Sequence, residues 1–123
     1  MTSRLITFTI DTDGTESDPQ AIDEEFSLSM MFLPAMVGAT IKVQALIPGG
    51  DVEDSDDWYD LYDDGNATDQ RQAVIAAGGT QKAVGLAWLA GVIQAAEMVR
   101  LVSASAETSG AVILVSRKKI STR

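Results

Sequence analysis

The first 47 residues alternate between apolar and polar positions. In Leu5-Ile6-Thr7-Phe8-Thr9-Ile10, the side chains of Ile6, Phe8 and Ile10 share one face and the two threonines take the other. Phe26-Ser27-Leu28-Ser29-Met30-Met31-Phe32 repeats the scheme, with Phe26, Leu28, Met30 and Phe32 together and Met31 as the odd one out. Thr40 to Ile47 does so again, with Ile41, Val43, Ala45 and Ile47 inward against Thr40, Lys42 and Gln44. A period of two with a single apolar face marks a half-buried strand, and such strands in succession predict an antiparallel all-β fold.

Turn residues separate these runs: Asp11-Thr12-Asp13-Gly14, Leu33-Pro34 and Pro48-Gly49-Gly50. Trp58 to Tyr62 has strong strand propensity. Asp63-Asp64-Gly65-Asn66 then supplies the glycine that a tight hairpin needs, and Ala73 to Ala77 follows as the return strand. From Gly78 to Leu101 the pattern mixes helix formers with the interrupting Gly85 and Gly91. It predicts a strand over 82–86, one short helical turn near residues 88–94 and a strand over 98–103. Ala111 to Val115 is an unbroken apolar run, expected to be buried on both faces or nearly so. The sum is an antiparallel β-sandwich or jelly roll of seven or eight strands. Residues 1–118 form a single domain, and 119–123 form a short basic tail.

The chain has 123 residues, 46% of them hydrophobic, which is enough for one well-formed core. It contains no cysteine and no histidine. Disulfides and thiolate metal sites are therefore excluded, as is every Ser-His or Cys-His arrangement. The expectation is a protein that is not an enzyme and has no cofactor and no metal site. The N-terminal segment lacks the charged head and apolar core of a signal peptide. The uncharged runs Phe26 to Ile41, of 16 residues, and Ala83 to Ala96, of 14, are both short of the roughly 20 that span a bilayer. A soluble protein made in a cytoplasm, with no membrane contact, is expected.

Charge is distributed unevenly. Residues 1–69 carry sixteen acids against Arg4 and Lys42, a balance of −14, whereas residues 70–123 carry two acids against seven bases, a balance of +5. The net −9 repels nucleic-acid phosphates and suits a basic or mixed protein surface. Arg117, Lys118 and Lys119, near the C-terminus, form a candidate second contact, set against the simpler view of a solvated tail.

Three stretches carry candidate chemistry. Asp11 to Asp18 places carboxylates near a glycine, loosely like a calcium loop, but its strand flanks and spacing do not match one. The acidic run Asp51 to Asp57 offers paired carboxylates, yet nothing in it marks one as buried with the raised pKa that a glycosidase acid requires. Trp58, Tyr59 and Tyr62 offer a stacking platform for sugar, against the more ordinary packing of aromatic strand residues. Around Trp88 and Leu89, the apolar set with Leu86, Val92 and Ile93 is a candidate self-association surface, set against burial inside the sandwich.

Five segments recur in a fixed order: FSLSMMFLPAM (26–36), GATIKVQAL (38–46), WYDLYDDGN (58–66), VRLVSAS (99–105) and GAVILVSRK (110–118). In this order the chain resembles a group of small structural proteins of tailed bacteriophages, over roughly residues 20–118. Several members of that group resemble capsid cement or decoration proteins with jelly-roll folds. The resemblance implies a virion protein on the outer capsid surface that binds the major capsid protein and stabilises the shell without covalent chemistry. It also implies self-association as a homodimer or homotrimer. A carbohydrate-binding or accessory module of a phage head or tail is the alternative. The insertion GGDVEDSDD is longer and more acidic than the group's pattern, and AVGLAWLAGVIQAAEM is more apolar.

Overall fold

A computed structural model describes residues 3–22, 26–63 and 70–119. Ten strand segments form two antiparallel sheets: β1 (Ser3–Ile10), β2 (Gly14–Glu16), β3 (Gln20–Ala21), β4 (Phe26–Leu33), β5 (Thr40–Leu46), β6 (Trp58–Asp60), β7 (Val74–Ala76), β8 (Lys82–Gly85), β9 (Met98–Glu107) and β10 (Ala111–Lys119). Among the described residues one α-helix, α1 (Trp88–Gln94), joins β8 to β9. The smaller sheet has the order β1-β10-β4-β8, and the larger runs β2-β9-β5-β6, with β3 also on β9 and β7 also on β5.

β2 and β3 together fill one edge of β9, and β6 and β7 together fill one edge of β5. The ten segments thus occupy eight strand positions, ordered 1-8-3-6 and 2-7-4-5, the connectivity of a jelly roll. The predicted fold class is the observed one, and the helical turn lies where it was expected. The return strand differs. Ala73 to Ala77 was expected to pair beside Trp58 to Tyr62, but β7 continues along the same edge of β5, opposite Thr40 to Lys42, after β6 has left it. The chain leaves that edge at Leu61 and rejoins it at Ala73, where Ala73 N–H donates to Leu61 O at 2.7 Å. The predicted turn at residues 64–66 lies outside the described residues.

The core between the sheets is built from the alternating positions. Ile6, Phe8 and Ile10 of β1, Ile41 and Val43 of β5, Val99 and Leu101 of β9, and Ala111, Ile113 and Val115 of β10 are all buried. The run at 111–115 is therefore buried on one face only, since Val112 is exposed. β4 departs from simple alternation. Its core residues are Leu28, Met31 and Leu33, while Phe32 is exposed and Met30 half-buried. Pairing with β10 slips between Ser116 and Arg117, which oppose Met30 and Leu28 respectively, so β4 has one extra residue. Such a bulge turns every later side chain over. Met31, the apparent exception, points in, and Phe32 points out. Serine hydroxyls stitch the bulge: Ser29 Oγ and Ser116 Oγ lie 2.8 Å apart, and Met30 N–H donates to Ser116 Oγ at 3.2 Å.

Leu86, Leu89 and Ile93 also lie in the core. Of the two alternatives for the apolar set around Leu89, self-association surface or interior, Leu86, Leu89 and Ile93 take the interior, because α1 closes the sandwich with its apolar side inward. α1 starts from a strained position. Ala87 has φ 48° and ψ −124°, and Leu89 N–H donates to Leu86 O at 2.8 Å, the geometry of a type II′ turn with a non-glycine residue where glycine is favoured.

At one end of the sandwich four connections cross between the sheets, at residues 11–13, 34–39, 77–81 and 108–110. Glu107, only 1% exposed, ties three of them together. Its carboxylate accepts from Val37 N–H (2.9 Å), Gly38 N–H (2.8 Å) and Ser103 Oγ (2.8 Å). Its carbonyl accepts from Asp13 N–H (2.7 Å) and Gly110 N–H (2.9 Å). Gly38 is required here, because a Cβ would run into Ser103 Oγ. The fourth connection packs alongside, with Ala77 N–H donating to Ala39 O at 2.8 Å and Met36 bridged to Gly79. Burial opposes ionisation of Glu107, but the Val37 and Gly38 N–H groups and the Ser103 hydroxyl outweigh it and hold the carboxyl below its ordinary pKa.

Two outcomes follow. Glu107→Gln turns an N–H₂ toward a backbone donor and should lower the unfolding free energy by about 2–4 kcal/mol at pH 7 in urea titration. Because the folded carboxyl titrates lower than the unfolded one, its contribution is complete above pH 4.5 and is lost as pH falls through the lowered value. The gap between wild type and variant should therefore narrow in acid, and equal stabilities at pH 7 would refute the role. Ala87→Gly relieves the turn and should raise stability by about 1 kcal/mol in the same assay.

Candidate interaction surfaces

The acidic run is solvated, with residues 51–56 exposed, and it is also a built loop. Pro48-Gly49 turns the chain, with Gly50 N–H donating to Ile47 O at 2.8 Å and Gly49 at φ 80°. Ile47 N–H donates to Asp57 O at 3.0 Å and closes the loop at its base. Inside it, carboxylates replace missing backbone partners: Asp51 accepts from Glu53 N–H (2.9 Å), Asp54 from Asp56 N–H (2.9 Å) and Asp57 from Asp51 N–H (2.8 Å). This is the ordinary turn chemistry of aspartate. The other oxygens of Asp51, Glu53, Asp54 and Asp56 face solvent.

The loop covers Trp58. This side chain is buried, but it lies outside the core, on the outer face of the six-stranded sheet. Its indole N–H donates to Val52 O at 3.0 Å, and the guanidinium of Arg100 sits over its ring at 4.6 Å. Arg100 is itself buried. Its Nε donates to Gln44 Oε1 at 2.8 Å, and its Nη1 pairs with Glu16 Oε1 at 3.3 Å. Gln44 Nε2 in turn donates to Asp60 Oδ1 at 2.9 Å, and Lys42 Nζ reaches the same oxygen at 3.1 Å. A polar ladder thus runs from β2 through β9 and β5 to β6. The Gln44 hydrogen bond, with Lys42 adding to it against partial burial, lowers the Asp60 pKa. Beside the ladder a cleft of about 630 Å³ opens between the 52–55 loop and the β1–β2 corner, lined by Asp11, Glu16, Asp18, Glu53, Trp58 and Arg100. Asp18 accepts from Thr9 N–H and Gln20 Nε2, both at 2.7 Å.

The three aromatics weighed as a sugar platform do not share a surface. Trp58 lines this cleft, whereas Tyr62 lines a second groove, and Tyr59 is exposed on the opposite side of β6 from Trp58. The second groove, of about 400 Å³, lies between Tyr62 and α1 and brings Tyr62 beside Trp88, Val92 and Ala95. Arg71 stacks over the Trp88 ring at 3.9 Å and pairs with Asp63 at 2.8 Å. Of the basic candidates, Arg117 is half-buried in β10. Lys118 and Lys119 are also β10 residues, opposite Ser27 and Phe26, rather than a detached tail. Residues 120–123 lie outside the described residues. Among the described residues no helix is long and apolar enough to cross a membrane, and no three carboxylates converge as a metal site.

Arg100, Gln44 and Glu107 carried no signal in the sequence reading. Each gains its role from partners 56 to 84 residues away, or from backbone N–H groups in another connection.

No family model matches the chain, and no curated protein sequence matches it. A solved structure, the SPBc2 prophage-derived protein YomS, has a similar fold: the TM-score is 0.50 at 15% identity, over 96% of each chain. The likeness therefore runs end to end and concerns the fold.

The loop over Trp58 generates a test. Trp58→Ala should leave the core intact, cost about 2 kcal/mol and speed hydrogen exchange at residues 51–57. Tyr59→Ala should stay within about 0.5 kcal/mol of wild type. Unchanged exchange in the Trp58 variant would show that the loop holds itself.

Proposed function

We propose that this chain is a structural component of a bacteriophage particle, a decoration or cement protein of the head that binds the major capsid protein and does no chemistry. The observation that carries the reading is the jelly roll itself, shared along 96% of its length with a prophage-derived protein. The five ordered segments that resemble small phage structural proteins point the same way. The surface suits the role. Its corners are tied by buried hydrogen bonds, so little ordering is needed on binding. The exposed carboxylates of the 51–56 loop stand on one side, available to a basic capsid surface. Bound to the expanded shell and not to its ruptured form, such a protein stabilises the shell by its differential affinity, summed over many lattice sites.

A second reading has one observation in its favour. The groove between Tyr62 and Trp88 joins two aromatic rings to the Arg71–Asp63 pair. That is a workable sugar-binding surface for an accessory module of a phage head or tail, at residues other than the Trp58–Tyr59 platform.

Cryo-electron microscopy of particles made with and without this chain separates the readings. Regular density on the head surface, lost in the deletion particle together with resistance to heat, is the expected result. Binding to purified shells should also weaken as salt rises from about 50 to 500 mM, because exposed charges are screened. Heads of equal robustness and unchanged density would overturn the cement role. Saturable glycan binding abolished by Trp88→Ala would then favour the second reading.

A further inference from the structure

Three rows of the outer face of the four-stranded sheet are mostly apolar and carry no charge, and the next row in register, Ser3–Lys118–Ser27, brings in one lysine at the end of β10. Reading across β1, β10, β4 and β8, the three rows are Thr9–Val112, Thr7–Leu114–Phe32–Ala83 and Leu5–Ser116–Met30–Gly85. None of these residues is charged, in a chain that is 22% charged. Leu5 is 55% exposed, Val112 53% and Phe32 40%. Phe32 and Met30 reach this face because of the bulge at Ser29–Ser116.

We infer that this face pairs two copies of the chain about a two-fold axis. Charge argues for a second copy in this arrangement. Each copy carries −9, so association needs a surface that keeps the acids apart. Stacked through these faces, the acids Glu16 and Asp60 and the 51–57 loop of each copy lie outermost, on the far sides of the four stacked sheets. At about 10 Å per sheet spacing that is roughly 30 Å, well beyond a Debye length of about 8 Å. Shape agrees, because a twisted sheet face is complementary to its own copy at a crossing angle of about −30°, and a two-fold brings one patch onto itself. Area agrees as well. Four strands at about 4.8 Å spacing and five to eight residues at about 3.4 Å give roughly 400 Å² in projection per copy. The accessible area exceeds the projection, so pairing buries on the order of 1,000 Å² in all, the lower bound of a specific interface and the range of weak, reversible association. The inference goes beyond the capsid reading and does not depend on it.

Sedimentation equilibrium of the full chain tests it. Between about 1 and 500 µM the mass should rise from 13.1 kDa toward twice that value, and more steeply at about 0.5 M salt, where repulsion is screened. Phe32→Glu with Val112→Glu, at exposed positions, should remain monomeric with an unchanged circular dichroism spectrum and thermal midpoint. Tyr59→Glu, exposed on the other sheet, should dimerise like wild type. A wild-type mass that stays at the monomer value, a dimer that survives the double substitution, or a limiting mass of three copies would overturn the inference. If the double variant unfolds, Leu5→Lys serves in its place, with the same outcomes.

Discussion

The buried carboxylate of Glu107 is the constraint on which the sandwich closes. A jelly roll sends its chain from one sheet to the other repeatedly at the same end, and each crossing leaves backbone N–H groups without a strand partner. Here three crossings direct such groups at one residue: Val37 and Gly38 to its carboxylate, Asp13 and Gly110 to its carbonyl. Ser103, four residues earlier on β9, completes the set. An isolated buried carboxylate is strongly disfavoured, but one that accepts several short hydrogen bonds is held ionised. The same arrangement explains why position 38 has no side chain, since the Ser103 hydroxyl occupies the space a Cβ would need.

With the corners tied, the two outer faces take different characters. On the six-stranded sheet, Glu16, Arg100, Gln44, Asp60 and Lys42 are linked in one ladder, and Trp58 is sealed under a loop whose aspartates bond their own backbone. On the four-stranded sheet, a single extra residue in β4 moves Phe32 and Met30 out and Met31 in. One outer face thus carries a charged ladder under an acidic loop, and the other exposes Leu5, Phe32 and Val112.

Local pattern alone determined much of this protein: that it is all-β and antiparallel, where most strands lie, and that a helical turn follows residue 87. Alternation in 5–10 and 40–43, the Pro48-Gly49 turn and the glycines at the corners need only neighbouring residues to be read, because strand burial and turn geometry are set within a few positions. Tertiary structure decided the rest. The inward phase of β4 depends on a bulge against Ser116, some 87 residues away, so simple alternation misplaced Met31 and Phe32. β6 and β7 share one edge of β5 because of how far β5 extends, which neither segment records. Trp58 is buried against Arg100 and a loop rather than in the core, and Glu107 matters only where three crossings meet. Aromatic or acidic character is written in the residue. Which face it takes, and what partner it finds there, is set by the register of strands that are distant in the chain.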